Sequence, residues 1–340
     1  MTRTTRLFWI AALVAVSHAS FGADHTIKIV SLANMNDEDY AGAVAFKELV
    51  ERESSQRIHV EIFTGGQLCG SPMECLLALD GGVMEVFMST LGGLANMVPE
   101  LQVLDLPYLF NDDDSVEQLF AGPFIDDLRE ELLSRTGLRL MTIGNTGGWR
   151  NFANTRHEVR TPDDLRGLKI RTINSPIQIQ LTKALGAAPT PVPWPELYIA
   201  LATGTVDGSK NGVTDIVGMG FHEHIKYVTM DGHAYMSALW LMNNDAYQAM
   251  PPDLQSIVES GFDALRETTM RVPKERQADA IKEFEGAGGT VYWPTAEEKT
   301  AFVEAAQPVY DWYEKRYGDE WLNKVRAAIE AIESKRSASD

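Results

Sequence analysis

The chain alternates short apolar runs with longer stretches in which apolar residues recur at helical spacing. His25 to Leu32 has the polar–apolar alternation of a strand, and Asp37 to Ser54 puts Tyr40, Val44, Leu49 and Val50 on one side of a helix. Ile58 to Phe63 and Met84 to Ser89 read as further strands, with a helix from Met73 to Leu79 between them. Asp113 to Phe120 and Ile125 to Arg135 read as helices. Capping chemistry then marks the boundaries. Thr161-Pro162-Asp163-Asp164 gives a one-turn helix before a strand from Leu168 to Arg171, and the helix Ser175 to Leu185 is ended by Gly186. Pro189, Pro191, Pro193 and Pro195 force an extended segment that delivers Trp194 and Glu196. A helix from Glu196 to Thr203 stops at Gly204, and Asp207 to Asn211 is a turn leading out of a short strand. Ala234 to Met242 is a strand that returns the chain to its first half. Pro251-Pro252 opens a helix with Leu254, Ile257, Val258, Phe262 and Leu265 at helical spacing. Charged helical segments from Lys274 to Glu285 and from Glu297 to Ser334 bracket the strand-like Thr290 to Trp293.

Strands alternating with helices predict an α/β fold with a parallel-rich sheet covered on both faces. A chain of 340 residues exceeds the usual limit of one core. No repeat and no low-complexity linker divides it, so two lobes joined by several crossings are expected, with mixed sheets flanked by helices in a hinged clamshell. The expected division is 24–148 with 237–276 as lobe I, 149–236 with 277–304 as lobe II, and helices of 305–340 packing across both.

Residues 1–23 have the form of a secretory signal peptide: Arg3 and Arg6, the apolar run Leu7 to Val16, then small residues. Ala19 and Ala23 both suit the cleavage position, and the strand pattern that follows favours the later one. The apolar run is too short to span a bilayer. Formal charge is −18, which repels phosphate backbones and argues against nucleic acid. It leaves open an anionic ligand in a local basic pocket. Cys69 and Cys75 are the only cysteines. In an exported chain they suit a short-range disulfide, the alternative being a buried Cys75 with Cys69 free.

Catalytic motifs are missing: there is no G-x-S-x-G elbow, no G-x-x-x-x-G-K loop and no G-x-G-x-x-G fingerprint. Phe221-His222-Glu223-His224, with His233 further on, has some metal-ligand character, but no third ligand is evident and the segment reads as a polar connector, so no metal and no cofactor are expected. Ser209-Lys210 is explained by the turn around Gly208. The residues that stand out are arginines. Arg150 follows an apolar run and a Gly-rich turn, and Arg171 closes a strand. In open α/β sheets ligands gather outside the carboxyl ends of strands, where a guanidinium pairs bidentately with a carboxylate.

The wording around these arginines, TPDDLRGLKIR and then LGAAPTPVPWPELYIALATGTVDGSKN, resembles the periplasmic solute-binding proteins of tripartite ATP-independent periplasmic (TRAP) transporters. Further similar wording lies at Ile58 to Leu68, Leu104 to Phe110 and Glu223 to Tyr227, so the resemblance covers nearly the whole mature chain. It implies a two-lobed periplasmic binding protein clamshell in the periplasm that binds a small organic acid without turnover. Delivery would be to a permease of one small and one large integral membrane subunit. It also implies that Arg171 makes the main salt bridge to the ligand carboxylate, with Arg150 and Asn211 assisting. Where many relatives read Q-E-N-P, this chain reads Ser209-Lys210-Asn211-Gly212.

From the residues themselves, Trp149, Trp194 and Trp240 lie beside expected cleft elements and offer apolar walls; core packing is the alternative for each. Asn36, Asp37 and Glu38, at the end of the first strand, and Glu196 could accept hydrogen bonds from a ligand. Helix capping is the alternative for the first three. Indole walls beside an arginine fork favour bulky monocarboxylates over compact dicarboxylates. A ligand sensor or an enzyme on the same clamshell is the competing reading, because fold alone does not decide function.

Overall fold

The computed structural model describes residues 23–338, so the expected signal peptide, Ala23 apart, lies outside the described residues. Nine strands are formed: β1 (His25–Val30), β2 (Ile58–Phe63), β3 (Val86–Thr90), β4 (Leu138–Asn154), β5 (Lys169–Thr172), β6 (Ala188–Pro191), β7 (Gly208–Asn211), β8 (Tyr227–Asn243) and β9 (Thr290–Tyr292). They join in one mixed sheet, in the order β2-β1-β3-β8-β4-β7-β5-β6, with β9 beside β8.

Two strands of 17 residues, β4 and β8, hold the halves together. Their antiparallel pairing runs from Leu138↔Asn243 at one end to Asn154↔Tyr227 at the other. In the first half β3 pairs with Val86↔Met242 to Thr90↔Ala238 on β8, and β1 and β2 follow in parallel. In the second half β7 pairs with the far end of β4, and β5 and β6 continue outward. A bulge between Asn145 and Trp149 marks the passage from one half to the other. Gly147 and Gly148 take positive φ there, at 98° and 78°. The Gly-rich segment expected to end a strand instead kinks one continuous strand, and Arg150 sits inside β4 rather than at a strand end.

The sequence also reads as two helices where the structure forms one. The helix Pro252–Gly286 runs 35 residues with Pro273 inside it. It packs Leu254, Val258, Phe262 and Leu265 into a core with Phe46, Val50 and Trp240 in the first half. Phe284, near its end, joins Leu201, Ile216 and Phe221 in the second. Helix Glu38–Glu53 buries Ala43, Phe46 and Val50, while Tyr40 and Val44 are only half-buried. The C-terminal stretch divides into Ala296–Ala306, Pro308–Tyr317 and Glu320–Ser337, with a proline opening the second and Gly318 closing it. Cys69 and Cys75 form a disulfide, with Cα atoms 5.2 Å apart.

Candidate ligand-binding site

A cavity of about 70 Å³ lies where the two halves meet, walled by β3, β4, β5 and β7 and by the segment after β1. Arg150, Arg171, Trp194 and Asn211 line it, together with Asp37 and Asp215. Both arginines are at least nine-tenths buried, at 5% and 3% exposure. Each is fixed by a backbone carbonyl: Arg150 Nη1 donates to Lys210 O at 3.0 Å, and Arg171 Nε donates to Val192 O at 2.9 Å. Each also keeps an unpartnered donor, Nε of Arg150 and Nη2 of Arg171. Burial, and then repulsion from Arg150, pulls the Arg171 guanidinium down to about 9. Two buried guanidinium groups with spare donors facing one cavity make a site for an oxyanion.

The proline-rich segment delivers Trp194 as expected, its ring centroid 5.4 Å from the Arg171 guanidinium carbon and edge-on to Phe221 at 5.2 Å. Asn211 arrives on β7 with its side chain engaged on both sides. Its oxygen accepts from Ser209 Oγ at 2.6 Å and its amide donates to Asp215 Oδ2 at 3.1 Å. Local backbone makes this possible. A Cβ at Gly212 would lie 1.6 Å from Gly147 O, and one at Gly147 would lie 2.5 Å from Asp215 Oδ2. Glycine at both positions lets β4 press onto the Asp215 carboxylate.

Four of the expected residues fall elsewhere. Trp240 is fully buried in the first-half core with Phe46 and Phe262, because it points to the helix-covered face of β8. Trp149 borders a separate cavity of about 320 Å³, donates Nε1 to Asp113 at 2.8 Å and packs edge-on against Tyr235. Glu196 is exposed on the 3-10 turn that precedes helix Leu197–Ala202. Asn36 is exposed and donates to Gly218 O at 3.3 Å, while its own carbonyl accepts from Arg276.

Glu38 and Asp37 are buried, and they have company. Asp37 caps the helix Glu38–Glu53, accepting from Asp39 N at 3.0 Å. Asp37, Glu38 and Asp215 bring ligand-type oxygens within 4.8 Å of one another. Asp39 accepts from Thr146 Oγ1 at 3.2 Å. Burial pushes the Asp37 carboxyl up to about 6, against the pull of the Asp39 donor and Arg276. It raises Glu38, Asp39 and Asp215 well above the usual range, mutual repulsion adding to the effect. Among the described residues this is the group with metal-ligand spacing, and no histidine belongs to it. His233 is instead buried on Asp231 at 2.8 Å, far down β8 from His222 and His224, with Tyr108 Oη donating to the same carboxylate.

Sequence reading missed Asp215 and set Lys210 aside as part of a turn, whereas it is buried in β7. Asp215 follows Asn211 by four residues, a spacing that carries a signal only once the strand-to-helix turn is known. Lys210 is 2% exposed, donates Nζ to Gln178 O at 3.1 Å, and has its ammonium pulled well down by burial and by Arg150.

A two-lobed α/β fold whose halves share two long strands, with a cavity lined by two buried arginines between them, is the fold of a solute-binding protein. The chain belongs to the bacterial extracellular solute-binding protein family 7, DctP, whose family model matches residues 29–316. It is 29% identical over 301 residues to the 2,3-diketo-L-gulonate-binding periplasmic protein YiaO of Escherichia coli, covering 88% of this chain and 90% of that one. Among solved structures, a TRAP periplasmic solute-binding protein of Ochrobactrum anthropi, described with the C-terminus bound in the ligand-binding pocket, is 32% identical with a TM-score of 0.81, covering 92% of this chain and 97% of that one. One from Bordetella, with density assigned to pantoate, is 27% identical with a TM-score of 0.83, covering 89% and 98%. The chain is thus a TRAP-type receptor and not an enzyme. Among the described residues no helix is long and apolar enough to cross a membrane.

Proposed function

We propose that this receptor captures a small organic acid anion, that Arg171 with Arg150 binds its carboxylate, and that the loaded protein delivers it to a TRAP permease of one small and one large membrane subunit. The observation that carries this reading is the pair of unpartnered buried donors, Arg150 Nε and Arg171 Nη2, at one cavity. An unsatisfied buried donor is costly, and a carboxylate is the group that satisfies two guanidinium forks at once. Similarity to receptors for 2,3-diketo-L-gulonate and pantoate, both acids, supports the ligand class. The expected lobes, 24–148 with 237–276 and 149–236 with 277–304, change over at the β4 bulge and its β8 partners, a natural place for a hinge. Helices of 305–340 would brace both.

Arg171→Ala tests the clamp. Removing one partner of a buried charge pair costs roughly 3 to 5 kcal/mol, two to four decades of affinity. A calorimetric screen of carboxylates identifies the ligand, and the variant should then bind it at least a hundredfold more weakly, with Arg171→Lys recovering only part. A change below threefold would sink the assignment.

A further inference from the structure

The same cavity has a second electrostatic end. Asp37 and Asp215 line it beside the arginines, Glu38 lies within metal-ligand spacing of both though outside the lining, and Oε1 of Glu38 and Oδ1 of Asp215 are buried without a partner. The cations that act on this group are few. Arg276, on an exposed part of the long helix, acts on Asp37, and both Arg150 and Arg171 interact with Asp215. Glu38 and Asp39 are raised chiefly by burial and then by neighbouring carboxylates. A ligand carboxylate on the arginines would also claim part of the Arg150 charge that now serves Asp215.

Resting on the carboxylate clamp proposed above, we infer that the ligand is two-ended, an acid that also carries an ammonium group, with the carboxylate on Arg171 and Arg150 and the ammonium against Asp37, Asp215 and Glu38. Arg150, Arg171, Asp37 and Asp215 line one small space, so a molecule bearing both charges pairs with both kinds of group. A hydroxyl would supply a hydrogen but no charge, whereas an ammonium also favours the ionised form of carboxyl groups that burial holds above their usual range. A second carboxylate would add to the repulsion, which places dicarboxylates at a disadvantage for an electrostatic reason, independent of any aromatic wall. Trp194 stacks on Arg171, at the carboxylate end, and leaves the acidic end polar.

The test uses matched pairs that differ only in the amine, namely glycine and acetate, β-alanine and propionate, 4-aminobutyrate and butyrate, and 5-aminovalerate and valerate, with L-alanine and lactate as a pair in which a hydroxyl replaces it. Each is added to the full mature protein, stripped of bound ligand by unfolding and refolding. Thermal shift and calorimetry are run at pH 7.5 with a chelator, and again with calcium. The expected result is that one amine-bearing acid binds at least tenfold more tightly than its partner with the chelator present. Asp37→Asn should then remove most of that preference. Equal binding within every pair overturns the inference while leaving the clamp, provided Arg171→Ala still abolishes binding. Amine-free acids that bind tightly only with calcium also overturn it, by making the acidic end a metal site. If no member of either series stabilises the protein, the ammonium assignment fails as well. Binding that survives Arg171→Ala removes the clamp itself.

Discussion

Asp37→Asn separates stability from binding in the empty receptor. Asparagine caps a helix as well as aspartate does, so the bond from Asp39 N, 3.0 Å in the wild type, is retained. What changes is the charge. Burial raises the Asp37 carboxyl from 3.8 to about 6. A rise of roughly two units corresponds to about 3 kcal/mol of cost once the group is ionised in the folded protein. Between about pH 4 and 6 the folded chain holds this proton and the unfolded chain has released it. Stability from this group is therefore present below pH 4, falls as the pH rises through 6, and is wholly lost above. Glu38, Asp39 and Asp215, also raised, push the same way, whereas buried His233, pulled below its usual value, pushes the opposite way below about pH 6.5. Comparing variant with wild type cancels His233. Urea unfolding of ligand-free protein across pH 4 to 8 should show Asp37→Asn more stable at pH 7.5, by up to about 3 kcal/mol, the gap closing toward pH 4. Relief of Glu38, Asp39 and Asp215, each of which feels the Asp37 charge, adds to the gain. A variant less stable than wild type at pH 7.5, or a difference independent of pH, would refute the picture of uncompensated buried charge.

Two further outcomes are expected. Replacing both Cys69 and Cys75 by serine opens a loop with a sequence separation of 6 and should cost about 2 kcal/mol in urea unfolding, with ligand affinity unchanged. Trp194→Ala should weaken binding of the identified acid about tenfold in calorimetry, by removing the stack on Arg171. Trp149→Phe should leave that affinity within twofold, since its indole borders the other cavity; equal losses in the two tryptophan variants would contradict this separation.

Local chemistry made much of the fold legible. Ser175 does cap the helix Pro176–Ala184 through its hydroxyl, Thr161 and Asp164 form a capping box, and the strand closed by Arg171 lies within one residue of its expected start. What was not legible depends on distant pairing. Gly147-Gly148 looks like a turn in isolation and becomes a bulge only because β8 continues opposite it. Pro273 looks like a break, yet the long helix continues through it. Among the site residues, Arg171, Arg150 and Asn211 came from the family motif. Trp240 sits in an apolar run, where nothing in sequence says whether an indole faces a core or a cleft. Phe46 was passed over for Tyr40 and Val44, one helical face away. Asp215 and Lys210 are charged residues, a type mostly found at the surface, and the close approach of Gly212 to Gly147 helps to bury the segment carrying them.

That burial gives the site its character. Arg171 lies on β5 and Asp37 on the segment after β1, in different halves of the sheet, while Asp215 and Arg150 stand near the junction between them. Where the halves meet, Arg171 Nη2, Arg150 Nε, Glu38 Oε1 and Asp215 Oδ1 are buried without a protein partner. Each such group costs about 1 to 3 kcal/mol, more where it is charged. An ion that pairs with them removes that cost only in the closed arrangement, which is the differential affinity a ligand needs to shift a conformational equilibrium. The stability given up by burying unpaired charge in the empty receptor is, on this account, the source of its response to ligand. It follows that substitutions which make the empty protein more stable here, Asp37→Asn foremost, should make it a poorer receptor.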